Sequence, residues 1–255
     1  RFNPSSISIL CCNSYLAFEL LYYLVYNFFL TNTGKHVNNG LETMVVRNTE
    51  APVATMIWLH GLGADAADLK PMIEMMEFDI PIDFILPNAP VRNISINNGV
   101  KMRGWYNLEG INKSAPSDEM LESIEKVSDI IEAQISSGIE SNQIAIAGFS
   151  QGGAVAIEAA LRFPKRLAAI IGLSTYIDDH EHLAQRIELA NIHTPIFLAH
   201  GVYDPMIHIS KAITARETLS QLGYRVDWQE YPIGHQICED EVKAVNSWVA
   251  DKLAQ

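Results

Sequence analysis

Ile144-Ala145-Ile146-Ala147-Gly148-Phe149-Ser150-Gln151-Gly152-Gly153-Ala154-Val155-Ala156-Ile157 is the stretch on which the fold turns. Its first four residues form an apolar run, the pattern of a strand covered on both faces. From Gly153 to Leu161 the sequence reads as a helix. Between them, Gly148-Phe149-Ser150-Gln151-Gly152 forms a sharp strand-to-helix turn. A serine there has a strained backbone that lifts its hydroxyl clear of the sheet. Glycines two residues either side remove the Cβ atoms that would clash where strand and helix crowd together. The following helix points its positive N-terminal end at the serine, which suits a nucleophile whose attack creates an oxyanion. Alone, the same pattern describes an ordinary glycine-rich turn, so its weight depends on what surrounds it.

Working outward, strands alternate with helices. Val53–Leu59 is a near-continuous apolar run ending at the glycine-rich His60-Gly61-Leu62-Gly63-Ala64-Asp65. Ala66–Phe78 has helical spacing, and Asp83–Leu86 is a strand halted by Pro87 and Pro90. Asp118–Ser136 is an amphipathic helix with Ser117 or Asp118 as N-cap and Gly138 as stop. Leu167–Leu173 and Pro195–His200 are further strands, and Ile207–Leu222 is a helix. Val226–Tyr231 alternates as a strand nearer the sheet edge, and Glu239–Leu253 is the last helix. This order predicts an α/β fold: one mostly parallel, doubly wound sheet with helices on both faces.

The chain has 255 residues, enough for one large α/β domain, and no linker-like run or internal repeat divides it. Lys plus Arg number 18 against 30 Asp plus Glu, and the net charge of −12 argues against nucleic-acid binding. The cysteines, Cys11, Cys12 and Cys238, form neither a disulfide framework nor a Cys/His metal spacing, which suits a reducing, cytoplasmic setting.

Between Phe2 and Gly34 the one charged side chain is Glu19, and Leu16–Leu30 is mostly aromatic and aliphatic. That stretch falls short of the roughly 20 apolar residues a membrane span needs, and it contains Glu19. It also lacks a small-x-small signal cleavage site. The first methionine is Met44, directly before the patterned sequence. The expectation is a natural start at Met44, with residues 1–43 an extension without designed structure and 44–255 the functional domain. The alternative is a membrane anchor through 1–43, with Cys11-Cys12 acylated.

In an open parallel sheet, functional groups gather beyond the carboxyl ends of the strands. The polar residues there are His60, Ser150, Asp204 and His235. Ser, Asp and His follow one another in the chain order of nucleophile, orienter and base. A serine hydroxyl needs a base to take its proton as it attacks, and an imidazole near neutrality can take and return it. A carboxylate on the other ring nitrogen fixes the tautomer. The expected oxyanion donors are the backbone N–H groups of Gln151 and of Leu62, in the first glycine loop. His60 is expected to brace its loop through the ring. His193, His200 and His208 read as surface or core polar residues, and Asp178-Asp179-His180 as a loop or helix start, so no metal is expected.

Together, His60-Gly61-Leu62-Gly63-Ala64-Asp65, Pro87-Asn88-Ala89-Pro90-Val91-Arg92, Met102-Arg103-Gly104-Trp105-Tyr106, Gly148-Phe149-Ser150-Gln151-Gly152-Gly153, Gly172-Leu173-Ser174 and Gly234-His235 resemble the phospholipase/carboxylesterase family. The resemblance runs from about Val45 to the C-terminus. It implies an α/β-hydrolase fold with Ser150 as nucleophile, Asp204 as orienter, His235 as base and no cofactor. It supports Leu62 and Gln151 as oxyanion donors. It also implies a substrate groove, for which Trp105, Leu62 and Met206 are candidates, with Ile94–Met102 as a flexible wall. A large aromatic such as Trp105 reads equally as a core residue of an α/β domain. Asn107 stands where members commonly carry Asp, and Met206 replaces a small β-branched residue, changes that bear on substrate preference. The expected activity is that of a serine carboxylesterase, acyl-protein thioesterase or lysophospholipase, acting through an acyl-enzyme. Substrates are small acyl esters or thioesters, acylated proteins or lysophospholipids, with no stable membrane insertion, on a monomer or weak homodimer. A serine peptidase of the same fold, or an inactive binding protein, are the alternatives.

Overall fold

The structure is a computed structural model that describes residues 33–38, 40–47, 51–108 and 116–253. Among the described residues, ten strands fall in two sheets. They are β1 (Thr33–Asn38), β2 (Leu41–Arg47), β3 (Ala54–Leu59), β4 (Ile82–Pro87), β5 (Val91–Ile94), β6 (Val100–Arg103), β7 (Ile144–Phe149), β8 (Ala169–Leu173), β9 (Ile196–Gly201) and β10 (Val226–Tyr231). The main sheet has the order β1-β2-β4-β3-β7-β8-β9-β10. β2 runs antiparallel to both β1 and β4, and every later pairing is parallel. Among the described residues the helices are α1 (Ala66–Ile73), α2 (Asp118–Ser136), α3 (Gln151–Arg162), α4 (Ile209–Gln221) and α5 (Glu239–Leu253).

Strand periodicity divides the interior into two cores. Ile57, Leu59, Ile144, Ile146, Ile170 and Leu198 face the core shared with α2, α3 and α4. Their neighbours Met56, Trp58, Ala145, Ala147, Ile171 and Phe197 face the core shared with α1 and α5. Successive side chains point to opposite faces, so strands buried on both sides read as unbroken apolar runs. This is the doubly wound arrangement expected from the sequence.

Two boundaries differ. The division expected between residues 43 and 44 cuts through β2, and the fold also takes in Thr33–Asn38, paired with β2 from Thr33↔Val46 to Asn38↔Leu41. Leu41, Thr43 and Val45 are buried on one side of β2. Thr43 satisfies its hydroxyl on the Leu41 carbonyl, so a polar residue sits inward without an orphaned donor. Residues 1–32, with the anchor, signal and acylation readings, lie outside the described residues. Helix α1 stops at Ile73 rather than at Phe78, because its last turn tightens into bonds from Met75 N–H to Met72 O and Met76 N–H to Ile73 O. Among the described residues, no helix is long and apolar enough to cross a membrane.

In the first turn of α5, Glu241 is buried, and burial pushes its carboxyl up to about 7 against an opposing backbone N–H at Cys238. Unfolded, the same group titrates near 4.5. Below that pH both states hold the proton, and its stabilising contribution is complete. Between about 4.5 and about 7 the unfolded chain releases the proton first, so stability falls as pH rises and then levels off. The loss is on the order of 3 kcal/mol. Glu241→Gln is expected to gain stability over wild type at pH 8 but not at pH 4, read as the difference in urea midpoints. Equal midpoint differences at the two pH values would remove the proton linkage.

Candidate active site

Ser150 sits between β7 and α3 with φ 55° and ψ −122°, a left-handed conformation costly for any residue with a Cβ. The strain is held by backbone bonds on both sides. Ser150 N–H donates to Leu173 O at 2.9 Å, and Ser150 O accepts Gly153 N–H at 3.0 Å and the Thr175 hydroxyl at 2.7 Å. A Cβ at Gly148 would lie 2.4 Å from the Gly152 backbone, and one at Gly152 would lie 2.4 Å from the carbonyls of Leu59 and His60. Strand β7, the start of α3 and the end of β3 therefore meet backbone to backbone, which only glycine permits.

Beyond β9 and β10 the chain supplies the partners. Asp204 follows β9 in a tight turn whose Oδ1 accepts Met206 N–H at 2.8 Å and Ile207 N–H at 2.9 Å. Its Oδ2 lies 2.7 Å from His235 Nδ1, and His235 Nε2 lies 2.9 Å from Ser150 Oγ. The Phe149 ring supports the imidazole at a centroid distance of 4.8 Å. Burial draws the Asp204 carboxyl up, but the Ile207 N–H, His235 and the Met206 N–H together outweigh it and hold it below its ordinary value. An ionised carboxylate only accepts, so His235 carries its proton on Nδ1 and offers the Nε2 lone pair to Ser150. A relay of that polarity can take a proton from Ser150 Oγ as it attacks an electrophilic carbon.

The His60 loop is braced as expected. His60 Nε2 accepts Ala89 N–H at 3.0 Å, which leaves Nδ1 to donate to Gly61 O at 2.8 Å. Burial lowers the pKa of this imidazole, which keeps it neutral. Neither Leu62 N–H nor Gln151 N–H has an acceptor among the described residues. The Gln151 side chain ties the serine turn to the next segment, accepting Trp105 N–H at 2.9 Å and donating to Tyr106 O at 2.7 Å.

Of the three groove candidates, Leu62 is half-buried beside Gly104 and Met206 is 74 % exposed. Trp105 does not line a groove: it is fully buried. Its indole N–H donates to His60 O at 2.8 Å and its carbonyl accepts the Ser123 hydroxyl, so both polar groups are satisfied in the core. The wall expected over Ile94–Met102 is part of the β5–β6 hairpin, closed by a turn with Asn98 at φ 55° and Gly99 at φ 74°. Asn107 pins that turn, accepting Ser95 N–H at 2.7 Å and donating to Ser95 Oγ at 2.8 Å. Thr175 and the Gln151 side chain were missed from sequence. Thr175 was findable, since it lies just past the end of β8.

The carboxylates of the Asp178-Asp179-His180 run are engaged otherwise. Asp178 accepts the Tyr106 hydroxyl at 3.0 Å, and Asp179 pairs with Arg186 at 2.8 Å. Among the described residues, no group of three His, Cys, Asp or Glu side chains could hold a metal ion.

A model of the phospholipase/carboxylesterase family matches residues 41–253. The chain belongs to that family. Acyl-protein thioesterase 1 of Neurospora crassa is 36 % identical over 226 residues, covering 84 % of this chain and 91 % of the relative. The crystal structure of Arabidopsis thaliana SOBER1, named as a carboxylesterase, superposes with TM-score 0.74 at 28 % identity, covering 78 % of this chain and 99 % of the other. The crystal structure of Zea mays acyl-protein thioesterase 2 gives TM-score 0.73 at 27 % identity, covering 83 % and 98 %. The family chain described here is thus an ester or thioester hydrolase of the α/β-hydrolase fold, which sets aside the inactive binding protein.

Proposed function

We propose that this hydrolase works through an acyl-enzyme on Ser150, with His235 as general base and acid, Asp204 as orienter, and Leu62 and Gln151 N–H as oxyanion donors. The observation that carries the reading is the continuous relay from Asp204 Oδ2 through His235 to Ser150 Oγ, at 2.7 and 2.9 Å. In the first half-reaction Ser150 Oγ attacks the acyl carbon while its proton passes to His235 Nε2. The carbonyl oxygen becomes the oxyanion and accepts the two backbone N–H groups. The C–S or C–O bond then breaks, and the leaving thiolate or alkoxide takes the proton from Nε2. Water repeats the sequence on the acyl-serine, giving the carboxylic acid and restoring the Ser150 hydroxyl.

The substrate class we infer is a protein thioester of an apolar acyl chain, supported by relatives named acyl-protein thioesterase on both sequence and structure comparison. Lysophospholipids share the carbonyl beside an apolar chain and are the second substrate class.

A fluorophosphonate probe tests the mechanism, because it traps a serine that its own base has activated. The adduct is expected on the tryptic peptide carrying Ser150, and a protein that stays unlabelled, or is labelled elsewhere, would sink the assignment. On an S-palmitoyl peptide and a matched lysophospholipid, the thioester is expected to give the higher kcat/KM. A reversed order would reassign the substrate class while leaving the mechanism standing.

A further inference from the structure

His200, the residue before the last in β9, is fully buried, and sequence reading gives it no role beyond that of a polar core residue. Its Nε2 lies 2.8 Å from Ile207 O and 3.4 Å from Asp204 Oδ2. Both neighbours are acceptors only, so Nε2 carries the proton. Nδ1 is then a bare lone pair, and it is buried with no hydrogen-bond partner. A histidine placed here for packing alone would be a poor choice, since an apolar ring fills the same space without desolvating a nitrogen for nothing. What the histidine contributes is the Nε2–H.

That proton lies where the Asp204 turn closes. The two peptide groups of Ile207 are used in opposite directions: its N–H goes to Asp204 Oδ1 at 2.9 Å, and its carbonyl goes to His200. Met206 N–H, at 2.8 Å, completes the set on Oδ1. The carboxylate is therefore held by one edge, and the other edge, Oδ2, faces His235 Nδ1 with the positive side of the His200 ring beside it. Around His200 the charged and titratable neighbours are Asp204, His235 and His208, and burial lowers the pKa of the His200 ring so that it stays neutral beside the acid.

We propose that His200 is a positioning residue: its Nε2–H locks the 204–207 turn through the Ile207 carbonyl, and so aims Asp204 Oδ2 at His235. This deepens the proposed mechanism and rests on that reading of Ser150, His235 and Asp204. His200 touches no reacting atom, and it acts through Asp204.

Two variants separate positioning from bulk. In His200→Gln the side-chain amide reaches the place of Nε2 and can still donate to Ile207 O. In His200→Asn the amide is shorter, reaches only the place of Nδ1, and leaves the Ile207 carbonyl without its donor. On a 4-nitrophenyl ester, H200N is expected to lose about 10²-fold in kcat with KM unchanged, and H200Q to stay within about fivefold of wild type, because misaiming a reacting group costs rate rather than binding. Equal losses in the two variants, or none in H200N, overturn the proposal.

The low-field 1H resonance of His235 Nδ1–H reports the bond to Asp204 whether or not an ester is turned over. It is expected in wild type and H200Q and to be lost in H200N, and its persistence in H200N overturns the proposal. A wild-type protein with this pattern but no turnover supports the His200 role and removes the hydrolytic mechanism instead. In the wild-type protein, 15N shifts are expected to give His200 as the Nε2–H tautomer. An Nδ1–H tautomer refutes the role however the variants fold.

Discussion

His235→Ala is expected to lower kcat on a 4-nitrophenyl ester by about 10⁴-fold or more, and Ser150→Ala by at least as much, with the fold intact in both. The size follows from what is lost. Without an imidazole at 2.9 Å, Ser150 Oγ must shed its proton to water, and the leaving group must depart without an acid. Asp204 cannot substitute, because its carboxylate reaches only the far nitrogen of the ring. The fold should survive because Ser150→Ala removes only a hydroxyl, and the imidazole removed by His235→Ala packs in a loop at the edge of the cores rather than inside them. His235 lies in a loop beyond β10, with the Phe149 ring against one face. Ser150→Ala keeps the Cβ, so the strained φ of 55° is unchanged and still held by the Leu173 carbonyl. Circular dichroism and the urea midpoint check the fold, and burst kinetics check the chemistry. Folded His235→Ala turning over ester at the wild-type rate would dismiss His235 as the base.

What the sequence made legible depended on how local the determining physics was. Strands covered on both faces announce themselves as near-continuous apolar runs, as β3, β7, β8 and β9 do, and β4 shows the same pattern interrupted by the buried Asp83. The relay could be anticipated for a related reason: in a parallel sheet the chain order of strand ends brings Ser150, Asp204 and His235 to one edge, and the structure does bring them within hydrogen-bond distance. Strand β2 was half visible, since Val45 is inward but Thr43, also inward, is polar and satisfies itself on a local carbonyl. The β5–β6 hairpin carried a signal that went unused. Asn98-Gly99 is a dipeptide that accepts positive φ at both residues, the usual mark of a hairpin turn. Trp105 was not decidable at all from sequence, because its burial depends on the His60 carbonyl, 45 residues away, meeting its indole N–H. The same is true of His200, whose importance appears only when Ile207 and Asp204 fold back onto it.

Gly152→Ala is expected to damage both stability and turnover, unlike the substitutions at His235 and Ser150. A Cβ at this position would meet the Leu59 carbonyl carbon at 2.7 Å and the carbonyl oxygens of Leu59 and His60 at 2.4 Å. None of these is the end of a flexible side chain. All belong to the last residues of β3 and the loop after it, and that loop is fixed by the His60 ring, by Trp105 and by pairing with β7. The neighbours cannot give, so α3 must withdraw from the sheet by roughly 1 Å, or the end of β3 must part from β7. Overpacking of this kind costs about 1–3 kcal/mol, and more where only backbone is available to move. The catalytic consequence is separate from the energetic one. Gln151 N–H and Ser150 Oγ ride on the first turn of α3, while Leu62 N–H rides on the loop that the new methyl pushes away. A displacement near 1 Å would pull the nucleophile from His235 and spread the two N–H donors, for a further loss of about 10²-fold in kcat. The urea midpoint and the kcat of the folded fraction are read on the same preparation. An unchanged midpoint with wild-type kcat would mean that strand and helix do not meet backbone to backbone at Ser150, and the account of why glycine flanks the serine would fall with it.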